Sequence, residues 1–405
     1  MARYSKKTLF LILCIMGLFA ILSSTMSKNP VLKPFATSLD APTDLIGLVA
    51  SASTIPGILI SLPAASLSDV VGRRKMLVIS AVVFASAPFL YLFIDSWWQL
   101  IPIRFYHGFA TAIFVPVSEA AISEAFPTKR GERVAIFSSV TAIGRASAPF
   151  LGGYILFLTN YGYSTLYLSV GVAGVAALIV GLFFFSENKP EKNQTVKTRV
   201  FAGRMLSDWA NIARNRSIQI VSLIQACQYY VFGAVEFFLV GYMLEVAKID
   251  PLSIGTIMGS QIIALIASRP IMGKISDKIG REKPIIIGSI VSGLILAVFP
   301  FTADFSVLLL LSIGYGLGFS TVTSSTSPLT CEIAPQKMSG TSLGFLSTMM
   351  DIGQTLGPII SGLVLAVSAQ YTTLFISLSI ILVVSAVIFF MNMISKKLVT
   401  GSVKS

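Results

Sequence analysis

The sequence has few of the side chains that most enzymatic chemistry needs. Its 405 residues include one histidine, His107, and three cysteines. A single imidazole leaves Ser-His-Asp catalysis and two-histidine metal sites almost nothing to work with. Cys14, Cys227 and Cys331 all fall in apolar stretches, so they predict no disulfide and no metal site. We therefore expect a protein that is not an enzyme and that holds no metal or other cofactor.

A nucleotide-binding loop is also missing from the sequence. The nearest approach, Gly273-Lys274-Ile275, lacks the following Ser or Thr and the upstream glycine that a phosphate-binding loop requires. Active transport by such a chain would have to draw on an ion gradient or on the gradient of the substrate. We expect the proton gradient to be the energy source.

Charge is scarce, and apolar residues are abundant. Hydrophobic residues make up 54% of the chain and charged residues 12%. Apolar runs of about 20 residues are long enough to cross a bilayer as helices. This pattern predicts an all-α membrane protein with twelve transmembrane helices, at residues 8–27, 44–67, 76–94, 98–124, 134–158, 164–185, 218–243, 254–273, 284–301, 306–331, 341–366 and 373–394.

The formal net charge of +12 is distributed unevenly along the chain. Lys and Arg concentrate in alternate loops and at both ends, and the intervening loops hold only Lys28, Lys33 and Lys248. This asymmetry predicts that both termini are cytoplasmic, in a multi-pass protein of the inner (plasma) membrane. No basic patch is interleaved with aromatics, so nucleic acid is not an expected partner.

One loop sequence occurs twice, in two copies 208 residues apart. Residues 68–75 (SDVVGRRK) return as residues 276–283 (SDKIGREK), each copy between two apolar runs. Two parallel halves in one membrane chain are typical of secondary transporters, whose site lies between the halves. We predict six-helix bundles at residues 1–185 and 218–405, joined by a cytoplasmic linker at 186–217. Within the linker, residues 201–209 fit either a short amphipathic helix or a flexible segment.

These motifs resemble those of the major facilitator superfamily across essentially the whole chain. The first loop is similar to the family's G-x-L-a-D-r-x-G-r-R signature at Leu67, Asp69, Gly72, Arg73 and Arg74. The fifth run, GRASAPFLGG at 144–153, resembles a signature of the drug:proton antiporter branch. The resemblance implies the major facilitator fold, two pseudo-symmetric six-helix bundles that work by alternating access.

The resemblance also implies roles for two sets of residues. The loop residues would lock the inner ends of the two halves, although the basic ones also suit simple retention of the loop in the cytoplasm. These gating candidates are Asp69, Gly72, Arg73, Asp277, Gly280 and Arg281. The fifth-run residues would either seal a leak path or only let helices pack closely. They are Gly144, Ala148, Pro149, Gly152 and Gly153.

Ionisable residues inside membrane spans are costly and are candidates for function. Glu236 is the leading candidate for proton coupling, because a carboxyl in an aromatic, poorly hydrated setting can exchange protons near neutral pH. An acid that simply reaches outer water is the alternative. Asp351 and Glu119 are further candidates, and Glu119 is also placed to pair with Arg145.

Helical spacing puts Gln225, Tyr229, Phe232 and Glu236 on one face, which suits a pocket for bulky amphiphiles. The full set of expected substrate-binding residues is Arg104, His107, Arg145, Gln225, Tyr229 and Phe232. The favoured function is proton-coupled, multidrug-type efflux of hydrophobic, cationic compounds by a monomer in the lipid bilayer.

The main alternative is a proton-coupled symporter or exchanger of a small organic anion or metabolite. Positive charges near the outer mouth and the membrane centre support it, namely those of Lys28, Lys33, Arg104 and Arg145. A non-transporting receptor is a third possibility, which predicts eroded loop motifs, whereas both copies here are largely intact.

Overall fold

A computed structural model shows the chain as an all-helical protein. It describes the backbone of residues 6–184, 212, 214–335 and 338–401; the side chains of 61–63, 65, 66, 69, 70, 183, 184 and 394–401 are not described. Throughout these ranges every regular element is a helix, which confirms the all-α prediction. Residues 201–209, where an amphipathic helix was one expectation, lie outside the described part of the chain.

The α-helices follow the predicted apolar runs closely. In chain order they are α1 (Lys6–Met26), α2 (Leu32–Ser38), α3 (Ile46–Ser51), α4 (Ile55–Val71), α5 (Arg73–Leu90), α6 (Leu100–Ala125), α7 (Arg130–Leu158), α8 (Tyr163–Phe184), α9 (Arg216–Glu245), α10 (Pro251–Ile279), α11 (Glu282–Val298), α12 (Phe305–Ile333), α13 (Ser339–Ser368) and α14 (Tyr371–Gly401).

Local sequence signals set several helix ends. Asp250 accepts a hydrogen bond from the Ser253 amide at 3.0 Å, just before Pro251 opens α10. Asp304 accepts one from the Val307 amide at 3.0 Å and caps α12. An aspartate at this position satisfies an amide that the first helical turn leaves without a partner.

Among the described residues, eleven helices are long and apolar enough to cross a membrane. They correspond to every predicted run except the second, 44–67, which is divided into α3 and α4. Pro56 lies near the start of α4 and has no backbone N–H to continue a hydrogen-bond ladder from α3. The prediction missed this break because it joined the apolar residues on both sides across Ser51, Ser53 and Thr54.

The chain forms two compact units whose boundaries differ from the ends of the repeat. The first comprises Met1–Asn193 with Glu236–Gly259, and the second comprises Gln194–Val235 with Ser260–Ser405. In the first unit α1 packs on α7 and α8, while α5 packs on α6 and α8. In the second unit α11 packs on α12 and α14. The predicted division at 186–217 stays a prediction about the repeat.

Equivalent helix contacts recur inside the two units. A Cβ added at Gly108 would overlap the carbonyl oxygen of Ser53, and one added at Gly316 would overlap that of Gln261. Both glycines and both carbonyls are 208 residues apart in the chain. The repeat seen in the sequence is therefore also a repeat of backbone packing.

The helices α13 and α9 approach each other closely inside the second unit. A Cβ at Gly353 would overlap the Ala226 carbonyl oxygen, and one at Gly357 would overlap that of Tyr230. Small residues at such contacts let backbones pack without the driving force that water supplies in soluble proteins.

Replacing Gly353 with alanine should therefore destabilise the protein. We expect a loss on the order of 1–3 kcal/mol, because the new methyl group meets backbone and not a movable side chain. Gly340 lies in the same helix with open space around its Cα, so Gly340→Ala is the matched control and should leave stability unchanged or raised. Thermal unfolding of the purified protein in detergent measures both, and equal shifts would contradict the packing argument.

Candidate functional site

The two copies of the loop motif form equivalent turns. Gly72 has φ 101° and Gly280 has φ 88°, backbone conformations that favour glycine. Gly72 follows the end of α4, and Gly280 follows the end of α10. The arginines that come next, Arg73 and Arg281, therefore leave their turns in the same way.

Arg73 binds groups of its own unit. Its guanidinium contacts the Ser68 hydroxyl and lies 3.5 Å from a Glu124 carboxylate oxygen. The backbone of Asp69 belongs to α4, but its side chain lies outside the described part of the chain. Its expected part in gating stays a prediction.

Arg281 repeats these contacts in the second unit. It lies 3.3 Å from the Ser276 hydroxyl and 3.0 Å from a Glu332 oxygen, and it pairs with Asp277. Hydrogen bonding to Glu332 raises the pKa of Arg281 above its ordinary value; burial opposes this, and Asp277 adds to it. The guanidinium therefore stays charged and ties the loop to the end of α12.

Arg104 stabilises the break between α3 and α4. It is 1% exposed, and its Nε donates to the Val49 carbonyl at 2.9 Å. Its terminal nitrogen donates to the Ser53 hydroxyl at 2.7 Å and to the Ala50 carbonyl at 3.4 Å. Carbonyls at a helix end have no partner within the helix, so the guanidinium supplies one. The expected role in substrate binding stays a prediction, and this geometry favours a structural role.

His107 lies one turn further along α6 and is also buried. Its ring packs against those of Phe84 and Tyr91, with centroids 6.3 and 6.1 Å away. Its Nε2 has no hydrogen-bond partner among the residues that the structure describes. The aromatic surroundings favour packing over the expected contact with substrate.

The glycine motif of α7 lets this helix approach two neighbours in the first unit. Gly144 contacts the α1 backbone at Leu18, and Gly152 contacts the Asn29–Pro30 segment. Gly153 lies against Gly255 in α10. Ala148 and Pro149 are buried in the same helix. This arrangement gives the motif a packing role, and its expected role in sealing a leak path stays a prediction.

Glu236, the leading candidate for proton coupling, forms a buried ion pair. It is 8% exposed in α9, and its Oε2 lies 2.5 Å from the Lys28 ammonium. The Asn29 amide donates to the other carboxylate oxygen at 3.3 Å. A second pair joins Lys33 of α2 to Glu245, the last residue of α9, at 2.6 Å. Two ion pairs thus hold the segment after α1 to the C-terminal half of α9.

The pairing of Lys28 with Glu236 has a signal in the sequence. The two residues are 208 apart, which is the offset of the repeated loop. A base and an acid therefore stand at equivalent positions of the two halves, and they meet. The repeat offset therefore carries the signal for this contact, in addition to the charges of the two residues.

A cavity of about 340 Å³ opens in the second unit. Four helices line it with polar and apolar side chains: Gln225 and Tyr229 from α9, Arg269 from α10, Thr323, Ser324, Ser327 and Pro328 from α12, and Leu343, Leu346, Ser347 and Met350 from α13. Its volume is in the range of sites for small organic ligands. Gln225 and Tyr229 were expected at such a site.

An aromatic cluster adjoins this cavity. The Phe232 ring stacks on Phe319 with centroids 4.6 Å apart, and Tyr229 meets the Phe319 ring edge-on at 5.1 Å. Tyr229 and Phe232 lie 6.1 Å apart on the face of α9 that the sequence predicted. Phe232 itself is not among the residues that line the cavity.

The remaining charged candidates, Glu119, Asp351 and Arg145, differ in their exposure and in their partners. Glu119 and Asp351 are half-buried, and neither carboxyl group has an ion pair with the described residues. Asp351 follows Met350, so it borders the cavity without lining it. Arg145 is exposed and has an interaction partner. The structure describes both residues and does not bring Glu119 and Arg145 together in the expected ion pair.

Arg269 lines the cavity although it was not among the expected substrate-binding residues. It lies near the end of an apolar run, a position from which a long basic side chain can also reach the membrane interface. Four serine and threonine residues of α12 and α13 also line the cavity, and they carry no distinct sequence signal because hydroxyl residues are frequent in all the spans.

Fold and site together define a multi-pass membrane transporter built from an internal repeat. The sequence profile of the Major Facilitator Superfamily matches residues 9–244 and 221–402. The chain belongs to the Major Facilitator Superfamily, as the motifs predicted.

Two relatives differ in their reported cargo. The chain is 22% identical to the riboflavin transporter RibZ of Clostridioides difficile over 338 residues. This alignment covers 72% of this chain and 73% of the relative. It is 24% identical over 333 residues to a multi-drug resistance efflux pump PmrA homolog of Lactococcus lactis, with 80% and 79% covered.

A solved structure agrees in fold. The bacterial homolog of the human lysosomal transporter Spinster, in an inward-facing and unoccupied conformation, superposes with a TM-score of 0.80 at 14% identity. The match covers 96% of this chain and 97% of the other.

Replacing Arg104 with lysine should test its structural role. Lysine keeps the charge but cannot reproduce the forked donors that reach Val49, Ala50 and Ser53. We expect a loss of stability on the order of 1–3 kcal/mol from the carbonyls left without partners. Thermal unfolding measures it, with the exposed Arg130→Lys as control. An Arg104→Lys protein as stable as wild type would contradict this role.

Proposed function

We propose that this transporter exports hydrophobic small molecules in exchange for protons, by alternating access and without a catalytic step. The observation that carries the proposal is the buried contact between Glu236 and Lys28. The efflux activity reported for the PmrA homolog supports the direction of transport. We place the protein in the plasma membrane as a monomer with both termini cytoplasmic.

Proton binding to Glu236 and its contact with Lys28 oppose each other. An ionised carboxylate attracts the ammonium strongly where little water screens the two charges. A proton on Glu236 removes this attraction and leaves the Lys28 charge buried without its partner. Loss of one partner from a buried pair costs about 3–5 kcal/mol, so the proton favours separation of the two side chains.

Separation of Lys28 from Glu236 would release the segment after α1 from the C-terminal half of α9. Lys28 and Asn29 follow α1 directly, and Glu236 lies in the C-terminal half of α9. The Lys33–Glu245 pair joins the same two segments, but Glu245 is partly exposed, so water weakens that contact. Protonation of Glu236 therefore acts on the stronger of the two contacts. This is how we propose that a proton gradient drives the cycle.

The sequence predicted that the transporter prefers cationic substrates, and we do not propose this preference. It depended on Glu236 as a free acid that attracts a cationic substrate, whereas in the structure Lys28 neutralises this carboxylate. Asp351 and Glu119 remain secondary candidates for proton coupling, because each is a half-buried carboxyl group in a span.

A second candidate function is symport or exchange of a small organic anion. One specific observation favours it, namely the position of the Arg269 guanidinium in the lining of the cavity. The two candidates share the fold and the cavity, and they differ in the direction in which the substrate moves relative to the proton.

Glu236→Gln should abolish coupling, because a neutral amide neither binds a proton nor holds Lys28 as an ion. Purified protein is reconstituted in vesicles with an imposed pH gradient and a pH-sensitive dye in the lumen, and hydrophobic fluorescent compounds are added. Wild type should dissipate the gradient when a substrate is added, and Glu236→Gln should fall to the rate of protein-free vesicles.

Glu245→Gln is the matched control, since it removes an ion-paired acid from the same helix. This variant should keep most of the proton flux. Substrate-dependent proton flux in Glu236→Gln at the wild-type rate would refute the proposal. Combining Lys28→Glu with Glu236→Lys restores an ion pair, and it should recover the stability that Lys28→Glu alone loses.

A further inference from the structure

The charge of the cavity in the second unit is positive. Of its eleven lining residues, Arg269 alone carries a formal charge. In the part of the chain that the structure describes, the Arg269 guanidinium has no ion pair and no hydrogen bond, and Asp351 nearby does not bind it. Arg269 is exposed where it lines this cavity, and an arginine does not lose its proton in a protein. The cavity therefore carries a permanent positive charge that suits an anionic ligand.

The neighbouring polar groups complement this charge with hydrogen-bond donors. The Gln225 side-chain oxygen already accepts a hydrogen bond from the Thr326 hydroxyl at 2.7 Å. Its amide nitrogen, a donor, is therefore the group left for a ligand. The Ser324 hydroxyl is buried without a partner among the described residues, and it lines the same cavity. Guanidinium, amide N–H and hydroxyl groups together suit the oxygens of a carboxylate or phosphate.

The aromatic side of the cavity suits a flat ring. Tyr229 lines the cavity and belongs to the cluster that it forms with Phe232 and Phe319. Aromatic rings bind other rings by offset stacking or edge-to-face contact, and leucine and methionine side chains from α13 line the same space. The site therefore presents one apolar, aromatic wall together with one anchor for an anion.

We propose that this cavity binds aromatic organic acids, with the acid group on Arg269 and the ring against Tyr229. The proposal rests on the transport function proposed above, and it deepens that function by naming the substrate class. The anion-binding end is formed by Arg269, Gln225 and Ser324. A neutral or cationic molecule with the same ring would leave the guanidinium without a partner, and it should bind more weakly.

The test compares three probes that share a naphthalene ring and carry a negative, a neutral or a positive substituent. They are 2-naphthoate, 2-naphthamide and (2-naphthylmethyl)trimethylammonium, titrated into the purified protein in detergent by calorimetry. Naphthoate should bind about tenfold or more tightly than either of the others. Arg269→Gln should remove this preference and leave naphthamide affinity unchanged. Arg269→Lys should keep part of the preference, because it retains the charge without the fork.

Lys274→Gln is the matched control, since Lys274 is an exposed cation of the same helix that does not line the cavity. It should bind the three probes as wild type does. Thermal unfolding verifies that each variant is folded. Equal affinity for the three probes, no binding of any probe, or an unchanged preference in Arg269→Gln would each overturn the proposal.

These measurements use no gradient, so they separate the two proposals. Naphthoate binding that depends on Arg269, without coupled proton flux, would refute the coupling mechanism and leave this inference standing. Proton flux that depends on Glu236, without a preference for naphthoate, would refute this inference alone.

Discussion

A charge buried in an apolar helix is costly unless it has a partner, and this constraint explains the contacts of Glu236 and Arg104. Glu236 is neutralised by Lys28 and receives a further hydrogen bond from Asn29. Arg104 uses its guanidinium to bind carbonyls at a helix end. Burial of such groups is tolerable only because each one is satisfied. Arg269 differs from these two, since no described residue neutralises it, and it lines a cavity.

The internal repeat made part of this structure predictable. It predicted equivalent loops, and the structure gives both loop arginines a serine and a glutamate as partners. It also predicted equivalent glycines, which meet equivalent backbone carbonyls in the two units. Contacts of this kind repeat because they depend on backbone spacing, which both halves share.

Other features could not be derived from the pattern of apolar residues. The break at Ala52–Thr54 is stabilised by Arg104, which lies more than 50 residues away in the chain. The place of Arg269 in a cavity depends on how four helices pack, which helical periodicity alone does not determine. The contact of Lys28 with Glu236 was available from the repeat offset, because the two positions are equivalent.

The function divides between two separate groups of residues. The ion pair at Glu236 belongs to the first unit, whereas the cavity with Arg269 belongs to the second. We propose that the first group responds to protons and the second binds the substrate, so each can be mutated without changing the other. Relatives reported to carry riboflavin or several drugs show that this family accommodates different cargo at similar identity to this chain.

We propose that a proton on Glu236 releases its contact with Lys28, and this release can be measured as a change in distance. Spin labels at the exposed positions Ser38 and Val246 report on the two segments that this pair joins, in a background without the three native cysteines. Pulsed electron paramagnetic resonance should give one narrow distribution of distances between the labels in wild type at high pH. At low pH the distribution should be longer and broader. Glu236→Gln should show the broad distribution at every pH. A distribution unaffected by both pH and Glu236→Gln would contradict the account.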